Sequence, residues 1–352
     1  MIYINSEDKN IKEALVVHSK SIYCIINKRI YGSLYNCLNK DEDGESCIDC
    51  KQTRKSKIAF DLNLVSFLET NLMHILEDKP QDLINRQIVF FEQLISGFRN
   101  EHLKVYLKAK NKEDNKRNFI EKEIFNRFNN IFNQVNTLFN YDTFICKDKS
   151  YSAYVLSTNL DINTCTYCNR LYTKTVANPN KLTRPEFDHW FAKSKYPLLA
   201  LSFYNLIPSC HVCNSSLKGT IELNLDKHYH PYIEKVISKN IKFSYFNKTL
   251  NTYGFEMKTN NFKGKNTIDA FKIKEIYEMH EDEIIDLRKI RDIYSESYLQ
   301  NLSKLYNKII SEKEIYRLAF GVYLEETKFK QRPLSKMKKD ILIELGIIKD
   351  EE

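Results

Sequence analysis

Cys165-Thr-Tyr-Cys168 and Cys210-His-Val-Cys213-Asn214 are the stretches on which the reading of this 352-residue chain turns. Each Cys-x2-Cys doublet can present two thiolates from one tight turn, and two doublets together supply the tetrahedral sulfur set that zinc prefers, at about 2.3 Å per bond. Four sulfurs fill that shell, so the expected zinc is structural and clamps residues 165–213 into a closed loop. The cysteines are read as thiols because Met1–Asn10 carries charges where a signal peptide needs an apolar run. No stretch approaches the roughly 18 consecutive apolar residues of a membrane span. A cytoplasmic location is therefore expected, and its redox poise reduces structural disulfides.

What the clamp encloses carries the chemistry. Between the doublets lie Glu186-Phe-Asp-His-Trp190, Lys193-Ser-Lys-Tyr-Pro197 and Ser202-Phe-Tyr-Asn-Leu-Ile-Pro208, and the second doublet runs into Asn214-Ser-Ser-Leu-Lys218. Asp188 offers a carboxylate to a hard divalent ion, beside the His189 imidazole, whose unperturbed pKa near 6.5 suits a base at neutral pH. An Asp-His pair alone is more often a structural pair or surface polarity than an active site. Here Asn214, at the start of a short helix, can share a Mg2+ ion with Asp188, and Lys218 follows at i+4 on the same helical face.

Lys and Arg number 54 against 46 Asp and Glu, a net charge of +8, with 42% hydrophobic residues. That excludes a wholly disordered chain and leaves a mildly basic globular protein of two or three structural units. Arg170, Lys174, Lys181, Arg184, Lys193, Lys195 and Lys218 concentrate positive charge in one segment whose acids are Glu186 and Asp188. Phosphate holding gives such a pattern, as does a solvated lysine face.

The organisation reads as α+β and mainly helical. Residues 1–150 form a helical region without an assigned role; Ile124, Phe128, Ile131, Val135 and Leu138 place a helix over 119–140, and a second runs from Gln81 to Gly97. Lys108–Arg117 is a loop or exposed turn. Residues 151–235 have the Tyr, Thr, Pro and Asn texture of strands and loops, and 236–352 hold a hairpin at 241–258 followed by helices interrupted at Pro333.

Together, Cys-x2-Cys, Asp188-His189, Asn205-Leu-Ile-Pro-Ser-Cys-x2-Cys-Asn214 and the trailing Lys218 resemble the HNH endonucleases, ββα-metal nucleases with a four-cysteine zinc brace. The matching stretch spans about 165–218. The resemblance implies a small central ββα core in which Asp188 is a metal ligand, His189 the general base, Asn205 the middle Asn that holds the His-bearing loop, and Asn214 the final ligand. The last position is Asn rather than the His of the family's name, which bears on metal preference. The implied reaction is Mg2+- or Mn2+-dependent hydrolysis of nucleic-acid phosphodiesters, double-stranded DNA first, giving 5′-phosphate and 3′-hydroxyl ends. Lys193, Lys195, Lys218 and Arg170 would hold flanking phosphates. His230-Pro-Tyr232, the Tyr277–His280 helix and Arg332-Pro-Leu-Ser-Lys336 are similar to larger bacterial HNH proteins, among them nucleases paired with ATPases in Septu-type and retron-associated phage defence. That likeness implies an ATPase partner and an antiviral role.

Two alternatives stay open: a zinc-braced nucleic-acid-binding module without catalysis, and a nuclease that cuts RNA. Cys37, Cys47 and Cys50, with Cys24, form either a second zinc site or ordinary buried thiols, since they contain one doublet and Cys24 sits in an apolar stretch. His211 is read as solvent-facing, His228 and His230 as turn and packing residues, and Trp190, Tyr167 and Tyr204 as packing side chains.

Overall fold

Apolar residues at three- and four-residue spacing wind into helix where a polar cap satisfies the first turn. Asn118 and Glu121 make a reciprocal capping box that starts the helix Phe119–Leu138, and its buried stripe comprises Ile124, Phe128, Ile131, Val135 and Leu138. Asp61 accepts from the Asn63 and Leu64 amides to start Leu62–Glu77, and Pro80 occupies the first turn of Pro80–Leu94. Phe91 stacks on Phe132 at 5.4 Å and Tyr106 lies 4.4 Å from Phe132.

The structure is a computed structural model that describes residues 1–350 except 41, 147–148, 179, 181, 220, 295–297 and 306–309. It is an α+β protein, mainly helical, with two small antiparallel sheets. The chain divides into two units, one of Met1–Asp8, Asp161–Phe187 and Pro208–Glu352, the other of Lys9–Leu160 and Asp188–Ile207. These bounds do not follow the three consecutive segments 1–150, 151–235 and 236–352. The difference arises at strands β1 (Glu186–His189) and β2 (Leu206–Ser209), which form one sheet and along which the chain passes between units.

In the unit of N-terminal helices, the inserted stretch Asp188–Ile207 is part of the core. Its turn Pro197–Leu199 packs on Phe119–Leu138, Leu62–Glu77 and Pro80–Leu94, and its turn Phe203–Asn205 packs on Leu62–Glu77 and Lys9–Tyr31. The helices Lys9–Tyr31, Leu62–Glu77, Pro80–Leu94 and Phe119–Leu138 thus hold the loop that carries His189. Residues 153–160 are helical, Ala153–Leu160, where strand or loop was expected; buried Tyr154, Leu156, Ser157 and Leu160 give it an inner face. Lys108–Arg117 is the end of Asn100–Lys110 followed by the 3-10 turn Asp114–Lys116.

In the other unit, β3 (Lys242–Asn247) and β4 (Tyr253–Lys258) form the expected hairpin, with Phe243 opposite Met257 and Tyr245 opposite Phe255. Phe243 and Phe255 converge on buried Tyr277 at 4.4 and 5.7 Å. Helix Ser335–Glu344 packs on β3, and Glu281–Tyr294 packs on β4. After the hairpin come the helices Ile273–Tyr277, Glu281–Tyr294 and Tyr298–Leu305, with residues 295–297 between the last two outside the described residues. Among the described residues no helix is long and apolar enough to cross a membrane.

His18 ties the inserted loop to the first helix. Its Nε2 donates to the Leu201 carbonyl at 2.7 Å, so its Nδ1 is the acceptor for the Tyr151 hydroxyl at 2.9 Å. Burial lowers its pKa to about 4, against a smaller upward pull from the Leu201 carbonyl. The unfolded chain takes up this proton below pH 6.5 and the folded chain only below about 4. Stability is therefore undiminished above pH 6.5 and falls as pH drops through that window, by roughly 3 kcal/mol in total. Urea unfolding at stepped pH should show this loss, and His18→Gln should flatten that part of the profile while lowering stability at pH 7.

Candidate functional site

The four sulfurs of Cys165, Cys168, Cys210 and Cys213 lie within 4.8 Å of one another and are buried. Four ligands at about 2.3 Å from one zinc ion stand about 3.8 Å apart, so this group can hold zinc. Both turns share one main-chain bond and differ in which sulfur accepts from an amide. The amide of Asn169 donates to the Cys165 carbonyl at 2.8 Å and that of Asn214 to the Cys210 carbonyl at 3.0 Å. The Arg170 amide donates to the Cys168 sulfur and the Cys213 amide to the Cys210 sulfur, each at 3.4 Å. Hydrogen bonds from the other three thiols hold the Cys168 thiol well below its ordinary range.

Asn169 closes the first turn in the left-handed conformation, φ +52°, which Asn tolerates better than most residues. Its buried amide nitrogen donates to the Phe329 carbonyl at 2.8 Å and to the Thr164 hydroxyl at 3.0 Å, and its amide oxygen accepts from the Lys336 amide at 3.2 Å. Its own carbonyl accepts from Leu334 at 2.6 Å. The run Arg332-Pro-Leu-Ser-Lys336 is therefore latched to the cysteine turn. Tyr277 adds a bond from its hydroxyl to the Cys168 carbonyl at 2.6 Å.

After the second doublet the chain forms a π-helical segment, Val212–Lys218, with the Gly219 amide donating five residues back to Asn214. Glu186 faces this segment. It accepts from the Asn214 amide nitrogen and from His211 Nδ1, each at 2.8 Å, and from the Ser215 hydroxyl at 3.3 Å. Partial burial works upward on Glu186, but these three partners outweigh it and hold its carboxyl below the usual range. With its nitrogen committed to Glu186, Asn214 has its amide oxygen as the atom for a cation. Lys218, expected among the phosphate contacts, is buried at 4% exposure. Lys218 is the last residue of the π-helical segment and is buried with Cys213 five residues earlier.

Asp188, His189 and Asn205 belong to the helical unit, together with Lys193 and Lys195, whereas Arg170, Asn214, Lys218 and the four cysteines belong to the other. Asp188 and His189 are both buried. His189 Nε2 donates to the Ala200 carbonyl at 3.0 Å, and Tyr141 meets the imidazole edge-on at 4.5 Å. Asn205 is fully buried; its amide accepts from the Phe191 amide at 2.7 Å and donates to the Phe191 and Leu199 carbonyls at 3.1 and 2.8 Å. The half-exposed Lys193 lies over the Tyr141 ring at 5.0 Å and pairs with Asp142 at 3.7 Å, while Lys195 lies over Tyr196 at 5.1 Å. Lys181 lies outside the described residues. Trp190, Tyr167 and Tyr204 are buried packing residues, and His211 is exposed but bonded to Glu186.

Sequence reasoning assigned no role to Glu186, Tyr141 or Ala200. Glu186 had a usable signal, since strand alternation puts positions 186 and 188 on one face of β1. Tyr141 and Ala200 had none, because ring contacts and carbonyl acceptors at such separations are set by packing. No protein-family model, no curated protein and no solved structure matches this chain.

Replacing Asn169 separates conformation from hydrogen bonding. Asn169→Ala should cost roughly 2–4 kcal/mol in chemical unfolding, and Asn169→Gly should recover about 1 kcal/mol of that by accepting the positive φ.

Proposed function

We propose that this protein is a metal-dependent endonuclease of the HNH type, hydrolysing phosphodiesters of double-stranded DNA to 5′-phosphate and 3′-hydroxyl ends. The observation that carries the reading is the way His189 is held. A carbonyl oxygen only accepts, so the bond to Ala200 puts the proton of the neutral ring on Nε2 and the lone pair on Nδ1. Asn205 ties the segment around it at Phe191 and Leu199, so the imidazole is presented on a fixed support. Asp188 precedes it in the chain, and the order β1, β2, Val212–Lys218 follows the strand–strand–helix order of the family resembled.

In the proposed reaction His189 Nδ1 takes the proton from the attacking water. On the family likeness alone, Asp188 and Asn214 are the residues that would hold Mg2+ or Mn2+, and the ion would supply charge neutralisation at the phosphate. Glu186 orients Asn214 through its amide nitrogen and can compensate charge beside the ligand set. Lys193, exposed, and Lys195, partly buried, are the cations of the His-bearing loop and take the flanking phosphates. The four central cysteines are assigned structural zinc. An ATPase partner and a place in bacterial anti-phage defence rest on the family likeness alone.

His189→Ala should lower the cleavage rate by roughly 10²–10⁴ in Mg2+ while leaving duplex affinity intact. Plasmid, linear duplex, single-stranded DNA and tRNA, each with and without Mg2+ or Mn2+, form the assay panel. Wild-type nicking by His189→Ala would remove His189 as the base. Binding without metal-dependent cleavage of any substrate would turn the reading to a non-catalytic module, and cleavage confined to tRNA would move the substrate to RNA.

A further inference from the structure

The helical unit contains a second sulfur group, formed by Cys24, Cys37, Cys47 and Cys50 with all four sulfurs within 4.8 Å of one another. We propose that it is a second structural zinc site, which staples the loop 35–50 to the first helix, Lys9–Tyr31. The proposal does not depend on the nuclease reading.

The loop itself gives the first reason. Its aliphatic residues Leu38 and Ile48 are 70% and 59% exposed, so they contribute little apolar burial. Among the described residues, the buried cluster beneath the loop consists of Cys24, Cys37 and Cys50, with Tyr35 and Cys47 packed against it and no aliphatic side chain. Sixteen residues with acids at Glu42, Asp43 and Glu45 have little reason to fold over a helix on that basis, and short segments without a core are commonly held by metal or disulfide.

Geometry decides between the two. Cys24 and Cys37 sulfurs stand 3.7 Å apart, against about 2.05 Å for a disulfide and about 3.8 Å for two ligands of one tetrahedral zinc. The local hydrogen bonding repeats that of the central group. The Asn39 amide bonds the Cys37 sulfur two residues back, as the Arg170 amide bonds Cys168. Asn39 also donates its side-chain amide to the Cys24 sulfur at 3.1 Å. Donors aimed at sulfur suit a thiolate held by a cation.

Such a staple would fix more than the loop. Cys47 and Cys50 bracket Asp49, whose carboxylate accepts from the Ser150 hydroxyl and, at 3.2 Å, from the Tyr151 amide. Tyr151 in turn meets His18, and His18 meets Leu201, the residue after the carbonyl that bonds His189.

The test is metal content of the purified full chain by inductively coupled plasma mass spectrometry. Two zinc ions per chain are expected, falling to one in Cys47→Ser and to one in Cys168→Ser. A wild-type chain with no zinc, or with a single zinc that Cys168→Ser removes, overturns the proposal, as does a Cys47→Ser chain that keeps two. If Cys47→Ser does not fold, Cys47→His keeps a ligand. Its cobalt-loaded form should retain two ions but lose part of the thiolate-to-cobalt charge-transfer absorption, and an unchanged spectrum counts against the site.

Discussion

Four sulfurs gathered within 4.8 Å at the centre of the chain are the constraint from which the surrounding architecture follows. They join the turn at 165–168 to the turn at 210–213, so everything between must leave and return as a closed excursion. A zinc ion held there would make its binding free energy part of the folding of that excursion, because the ligand set exists only in the folded chain. Bonds around the first turn extend the constraint outward, through Asn169 to residues 329–336 and through Tyr277 to the β3–β4 hairpin.

Irregular backbone in both units is held by buried polar side chains. Asn169 and Asn205 each satisfy main-chain groups in segments that lack helix or sheet partners, and His18 and Asp49 do the same for Leu201 and Tyr151. An unpaired buried amide or carbonyl would cost on the order of 1–3 kcal/mol, so these residues are worth more to the fold than their solvent-exposed counterparts. The positions are polar because backbone must be paired there, and this explains why polar residues line so much of the interior beside the cysteine groups.

Regular elements were legible in the sequence because they follow from spacing: the phenylalanine-rich helix Phe119–Leu138, the alternating hairpin at 242–258 and the two central Cys-x2-Cys doublets are local patterns, whereas Cys24, Cys37, Cys47 and Cys50, with one doublet, left their grouping open. The composition of residues 1–150 identified helices but could not say what they surround. Their partner, Asp188–Ile207, lies far along the chain, and no local periodicity encodes a contact such as His18 with Leu201. Likewise the i+4 spacing from Asn214 to Lys218 suggested that they share one face of a short helix, and Lys218 was expected to hold phosphate. The segment is π-helical and Lys218 is buried at its end, neither of which the spacing encodes. Glu186 was visible as a residue, whereas its three hydrogen-bond partners depend on how the second cysteine turn is wound.

The interleaved course of the chain bears on its synthesis. A ribosome emits residues from the N-terminus, and the helices Lys9–Tyr31 and Leu62–Glu77 appear long before the segment that fills the space between them. The helical unit can reach its final packing only after Ile207 has emerged, 130 residues after Glu77 (207 − 77), at roughly 5–20 residues per second. Nascent chains therefore spend on the order of ten seconds or more with the seat of that segment uncovered, an interval in which a chaperone has apolar surface to bind.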